Sequence, residues 1–185
     1  MASIALVYGP KGAGKTSTTL QLAESLSAAG LAVGGFYQRP TRDAQGRPGY
    51  DLVRFADRNL FVPLARYGET ADESKEANIC SFLFATEAFD LGLSWLRQDA
   101  VRTSVIVIDE VSKLEVSGKG HAASVHFALS LPPNQVVVLS VRGDQLFYVV
   151  ERFGIDGNVV ADLEIPASPD RLHTVVRDVV ARVRT

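Results

Sequence analysis

Residues 9–16 read Gly-Pro-Lys-Gly-Ala-Gly-Lys-Thr, which matches G-x-x-x-x-G-K-[ST] at Gly9, Gly14, Lys15 and Thr16. That spacing suits the gripping of a polyphosphate. A loop that wraps its N–H groups around anionic oxygens needs residues without a β-carbon, which accept unusual dihedrals and close approach. A helix starting at the end of the loop adds the positive end of its dipole. Gly9, Pro10, Lys11, Gly12, Ala13, Gly14, Lys15, Thr16 and Ser17 are therefore the candidate nucleotide-binding residues. Lys15 is placed to reach the β- and γ-phosphate oxygens, and Thr16 to give its hydroxyl to magnesium.

A second constellation is independent of the first. Val105-Ile106-Val107-Ile108-Asp109-Glu110 is an aliphatic run ending in two acids. Such a strand puts Asp109 at the carboxyl edge of a parallel sheet, where ligands of these folds bind. Asp109 is the candidate metal ligand with Thr16, and Glu110 the candidate general base for an attacking water. Arg142 follows another strand and is a third candidate catalytic group beside Lys15 and Glu110. It is placed either to stabilise a γ-phosphate or to cap a loop in solvent. Lys113 and Glu115, just past the acidic pair, can pair with each other, close over nucleotide, or form a solvated turn. Arg39, Arg42 and Arg47 are either a lid over phosphates, a partner contact, or an ordinary solvated loop. No metal is assigned to His121, His126 or His173, and Cys80 reads as a packed core thiol.

Elements that can hold these residues follow from pattern. Ile4–Tyr8 is a buried strand stopping at Gly9, and Lys15–Ala29 is helical with Leu22, Ala23, Leu26 and Ala29 on one side. Leu31–Tyr37 is a strand, and the following RPTRDAQGRPG stretch reads as a loop. Tyr50–Phe55 and Leu60–Leu64 form a hairpin, residues 66–78 a polar loop, and Ile79–Phe84 a third inserted strand. Glu87–Arg97 is a helix, and His121–Leu131 another, stopped by Pro132-Pro133. Gln135–Val141 is a strand, Asp144 caps the next helix, and Gly154 ends it. Val159–Ile165 is the last strand, and Ser168-Pro169 opens a final amphipathic helix. Alternating strands and helices predict one α/β domain over residues 1–185. Its mostly parallel sheet is covered on both faces, with a β-rich insertion at about 45–84.

Composition narrows the function further. The 19 basic and 21 acidic residues leave a formal charge of −2, which excludes a dedicated basic nucleic-acid face. One cysteine rules out a disulfide framework within the chain and fits a reducing compartment. The aliphatic runs are strand-length, far below the roughly 20 residues that cross a bilayer. A cytoplasmic protein with neither membrane nor nucleic acid as partner is expected.

The chain resembles the cancer-related nucleoside-triphosphatase family and its thermophile relatives. The resemblance is carried by GPKGAGKTS at 9–17, AGLAVGGFYQRP at 29–40, RPGYDLV at 47–53, VPLAR at 62–66 and VIVIDEVSKLE at 105–115. It implies a RecA-like P-loop NTPase sheet with a β-hairpin insertion, and slow Mg2+-dependent hydrolysis of several NTPs with weak base selectivity. It carries Lys15, Thr16, Asp109 and Glu110 over as functional residues. The chain departs from the family pattern at Ser112 (usually Gly), Leu114 (usually Met) and Arg142-Gly143-Asp144 (usually with a His). Two other functions fit the same motifs: a small-molecule P-loop kinase, and a nucleotide-dependent switch serving a protein partner, as in cofactor assembly.

Overall fold

A computed structural model describes residues 1–68 and 82–185; Cys80 and the polar 69–78 stretch lie outside the described residues. In chain order the elements are β1 (Ser3–Gly9), α1 (Lys15–Ala28), β2 (Val33–Arg42), β3 (Pro48–Arg54), β4 (Phe61–Tyr67), β5 (Phe82–Phe84), α2 (Thr86–Asp99), β6 (Val105–Val111), α3 (Lys113–Val116), α4 (Ala122–Leu129), β7 (Val136–Arg142), α5 (Leu146–Phe153), β8 (Val159–Glu164) and α6 (Pro169–Val183). They build one eight-stranded sheet in the order β5-β4-β3-β2-β6-β7-β1-β8. The strands from β2 to β8 in that order are parallel, and β3, β4 and β5 add an antiparallel wing beyond β2.

Parallel strands covered on both faces are apolar along most of their length, hence the aliphatic runs of β1, β6 and β7. Leu22 and Leu26 of α1 pack on one face with Leu172, Val175 and Val179 of α6. Trp95 and Leu96 of α2, Val125 of α4, and Val149 and Phe153 of α5 cover the other. The Ser168 hydroxyl accepts the Arg171 N–H, with Pro169 opening α6 as its sequence predicts. Among the described residues no helix is long and apolar enough to cross a membrane.

The stretch expected as a loop after Tyr37 is largely strand. β2 continues to Arg42 and pairs with β3 through Arg39↔Asp51, Thr41↔Gly49 and Arg42↔Pro48. Pairing between β2 and β6 ends at Phe36, so beyond that point β2 is an edge strand. An edge tolerates Pro40, which has no N–H to give a second neighbour. The arginines of this stretch are tied within the wing. Arg39 pairs with the buried Asp51 at 3.1 Å and lies 4.3 Å over the Phe61 ring, and Arg47 pairs with Asp43 at 2.7 Å. Arg66 and Tyr67, expected in a polar loop, belong to β4.

The connection after β1 runs through α1 on one face, whereas the connection after β7 runs through α5 on the other. The crevice between the carboxyl ends of β1 and β7 is therefore a topological switch point, the place where open α/β sheets receive ligands. Gly9 and Arg142 are register partners there.

Candidate active site

From Gly9 the chain loops through residues 10–14 into α1. Gly14, immediately before the helix, has φ 91, a conformation that a side chain makes costly. Among the described residues no side chain caps α1, so its first N–H groups are offered to a ligand at the positive end of the dipole. Lys15, 3% exposed in its side chain, folds back over the loop. Its Nζ donates to the Pro10 carbonyl at 3.2 Å and lies 3.7 Å from Glu110 Oε1. Thr16 Oγ1 donates to Asp109 Oδ2 at 2.8 Å. Pro10, Lys11, Gly12 and Ser17 are solvent-exposed.

The acidic pair is arranged by a break in the strand. Successive side chains of a regular strand point to opposite faces, yet both carboxylates meet α1, Asp109 through Thr16 and Glu110 through Lys15. The register of β6 against β7 shifts between Ile108 and Val111, and Glu110 takes φ 62, rare outside glycine. The Glu110 N–H donates to Ser140 Oγ at 3.4 Å.

Asp109 is fully buried, and its Oδ2 also accepts the Gln38 N–H at 3.2 Å. Burial pushes its pKa up, opposed by the Ser140 and Thr16 hydroxyls, the Gln38 N–H and the Lys15 charge. Among the described residues its Oδ1 has no hydrogen-bond partner. A buried carboxylate oxygen left open beside a hydroxyl is a donor set that suits a hard divalent cation such as Mg2+. Glu110 is held above the ordinary glutamate range, first by burial and then by Asp109, with Lys15 and Arg142 pulling the other way.

Arg142 is at the rim. Its guanidinium forks onto Asp144 through two bonds of 2.6 Å, so Asp144 pairs with Arg142 and does not cap the next helix. A cavity of about 590 Å3 lies between the loop and the end of β7, lined in part by Tyr8, Lys11, Arg142, Leu146 and Glu164. Glu115, left open between a pair with Lys113, a closure over nucleotide and a solvated turn, is 3% exposed and bonded to main-chain amides. Its reason is local: Ser112 and Glu115 form a capping box at α3, which an S-x-x-E spacing announces. Gln38 and Ser140 were not evident as site residues. A main-chain donor leaves no sequence signal, whereas a lone serine inside the aliphatic β7 run does.

A family model described as NTPase matches residues 4–160. The chain belongs to the nucleoside-triphosphatase family. It is 31% identical over 143 residues to the cancer-related nucleoside-triphosphatase homolog of Bos taurus, covering 74% of each chain. With the cancer-related nucleoside-triphosphatase of Homo sapiens it shares 30% identity over 138 residues, 71% of this chain and 72% of the other. The solution structure of a human cancer-related nucleoside triphosphatase superposes with TM-score 0.70 at 26% identity, covering 99% of this chain and 98% of that one. The crystal structure of THEP1 from the hyperthermophile Aquifex aeolicus shares the fold, with TM-score 0.64 at 17% identity and coverage of 98% and 99%. Nucleoside-triphosphatase family members thus match this P-loop fold from end to end.

Proposed function

We propose that this chain is a cytoplasmic, Mg2+-dependent enzyme that hydrolyses nucleoside triphosphates to diphosphates and phosphate, with weak selectivity for the base. The observation that carries the reading is the pairing at the start of α1. Thr16 meets Asp109 at 2.8 Å while Lys15 meets Glu110 at 3.7 Å, so both motifs converge on one point. The names of the curated relatives, nucleoside-triphosphatases, support the same activity.

In this reading the loop amides and Lys15 grip the phosphate tail and take up charge as the terminal bond breaks. Thr16 and the open Oδ1 of Asp109 hold Mg2+, which when bound offsets the negative charge of the phosphate oxygens. Glu110 orients a water and takes its proton; a pKa raised by burial brings its basicity closer to neutral pH. Arg142, at the rim, adds positive charge near the terminal phosphate. Each of these groups addresses phosphate, metal or water, features that every nucleoside triphosphate complex brings alike. The single cysteine fits a reducing compartment.

Phosphate release from ATP, GTP, CTP and UTP, each over a Mg2+ titration, tests the proposal. Turnover of all four with kcat/KM within a few-fold is expected, along with a raised Mg2+ requirement in Thr16→Ala. Diphosphate formed only when a small-molecule acceptor is added, with no free phosphate, would overturn hydrolysis in favour of phosphoryl transfer.

A further inference from the structure

Two residues, Val111 and Ser112, join Glu110 to α3, and a buried carboxylate fixes that junction. Glu115 Oε2 accepts the Ser112 N–H at 2.8 Å, and Oε1 accepts the His121 N–H at 2.9 Å. The first bond belongs to the capping box, in which the Ser112 hydroxyl accepts the Glu115 N–H in return. The second reaches past the end of α3 to the first turn of α4, which Ala122, Val125 and Ala128 anchor in the core. One side chain thus ties the residue two positions after Glu110 to a rigid helix. The seat is built for it: a β-carbon on Gly120, at φ 60, would lie 2.4 Å from Glu115 Oε1.

His121 extends the connection. Its ring packs between Phe36 at 4.4 Å and Phe89 at 4.8 Å. Phe36 precedes by two residues the Gln38 whose N–H holds Asp109. The Ser112 clamp and the strand that holds Asp109 therefore belong to one packed body. Glu110 needs such a frame, because a non-glycine residue at φ 62 persists only where its surroundings over-determine it. Ser140 restrains its own N–H, and Glu115 restrains the chain on its far side.

We propose that Glu115 is a positioning residue for hydrolysis: by clamping the Ser112 and His121 amides it aims the Glu110 carboxylate at the triphosphate site. The proposal rests on the reading of Glu110 as general base. Glu115 acts through Glu110 and does not touch nucleotide, so its loss lowers kcat and leaves triphosphate affinity unchanged. Glutamine is the sharp substitution. It has nearly the same shape but a single acceptor oxygen, so one of the two amides faces an NH2 group instead.

The test compares Glu115→Gln, Gln135→Ala and Glu110→Gln by steady-state phosphate release, calorimetric Kd for Mg2+·ATP, and Tm. Gln135→Ala removes two hydrogen bonds, to the Ala100 and Thr103 carbonyls, at the end of β7 opposite the site, so it reports lost stability without touching the clamp. Glu115→Gln is expected to lower kcat by about tenfold to a hundredfold at constant Kd, the scale of a small misplacement of a reacting group. Gln135→Ala is expected to keep its kcat whatever its Tm. Wild-type kcat in Glu115→Gln, or an equal kcat loss in Gln135→Ala at matched Tm, would overturn the proposal. Should Glu115→Gln not fold, Glu115→Asp replaces it, a carboxylate one methylene too short to hold both amides with the charge kept; reduced kcat at constant Kd supports the clamp, and unchanged kcat overturns it. Full turnover in Glu110→Gln would remove the base and the clamp's purpose together. An inactive Glu110→Gln beside a fully active Glu115→Gln sinks the clamp alone.

Discussion

Replacing Lys15 with alanine isolates the phosphate grip from the fold. The ammonium is 3% exposed, donates to the Pro10 carbonyl and faces Glu110 at 3.7 Å. In the proposed reading it bridges two phosphates of a bound triphosphate through two charge-assisted hydrogen bonds worth about 1.5–3 kcal/mol each. Their loss amounts to about 3–6 kcal/mol, a rise in Kd of roughly a hundredfold to ten-thousandfold. Alanine suits the first position of α1, so the helix itself is retained. In the ligand-free protein Glu110 is left facing Asp109 without its nearest cation, and its pKa moves further up from an already raised value. Calorimetry with Mg2+·ATP on the wild type and on Lys15→Ala, with circular dichroism to verify folding, measures the effect. A Kd within about threefold of wild type, less than 1 kcal/mol, would refute the assignment of Lys15 to the phosphates.

Glu110→Gln should lower kcat by about a hundredfold to ten-thousandfold, the contribution of a general base, while Kd for triphosphate stays within a few-fold. Because a base must be deprotonated, wild-type activity should fall as pH drops through the raised pKa of Glu110. That limb lies above the 4.5 of an ordinary glutamate, and a pH–rate profile of the variant should lack it. Among the described residues His121 is buried with neither ring nitrogen bonded, and burial pulls its pKa from 6.5 down to about 3. The unfolded chain binds that proton first, so stability should fall as pH drops from 6.5 towards 3, and urea unfolding of His121→Leu should show a flatter dependence in that window. Arg54 pairs at 2.5 Å with the buried Asp99, whose other oxygen holds the Gly35 N–H. Arg54→Met should therefore cost about 3–5 kcal/mol in urea unfolding by stranding the carboxylate, with nucleotide Kd unchanged.

The parts of the site that were legible in sequence are those fixed by short-range spacing. GPKGAGKT and VIVIDE each name their chemistry within eight residues, and alternating strands and helices place both at one sheet edge. What was not legible depends on partners far along the chain or on dihedral angles. The reach of β2 to Arg42 was hidden because its polar, proline-containing tip pairs only with β3, so neither burial nor alternation marks it as strand. The φ of Glu110, which brings neighbouring carboxylates to the same helix, has no counterpart in residue type. Glu115 lies between these cases. Its capping box was written in the spacing from Ser112, but its bond to His121 needed the turn through Gly120 to be seen. Arg142 was expected to follow a strand, and it ends β7, which lies between β1 and β6; its fork onto Asp144 depends on the local turn.

The most direct measurement of the central claim is steady-state phosphate release from ATP by the wild-type chain, with Mg2+ present and then with the metal removed by excess EDTA. Many phosphates released per chain with Mg2+, ceasing on chelation, is the result predicted by Thr16 and Asp109 holding the cation beside Lys15 and Glu110. Release no faster than in buffer, or release that continues unchanged in EDTA, would contradict it.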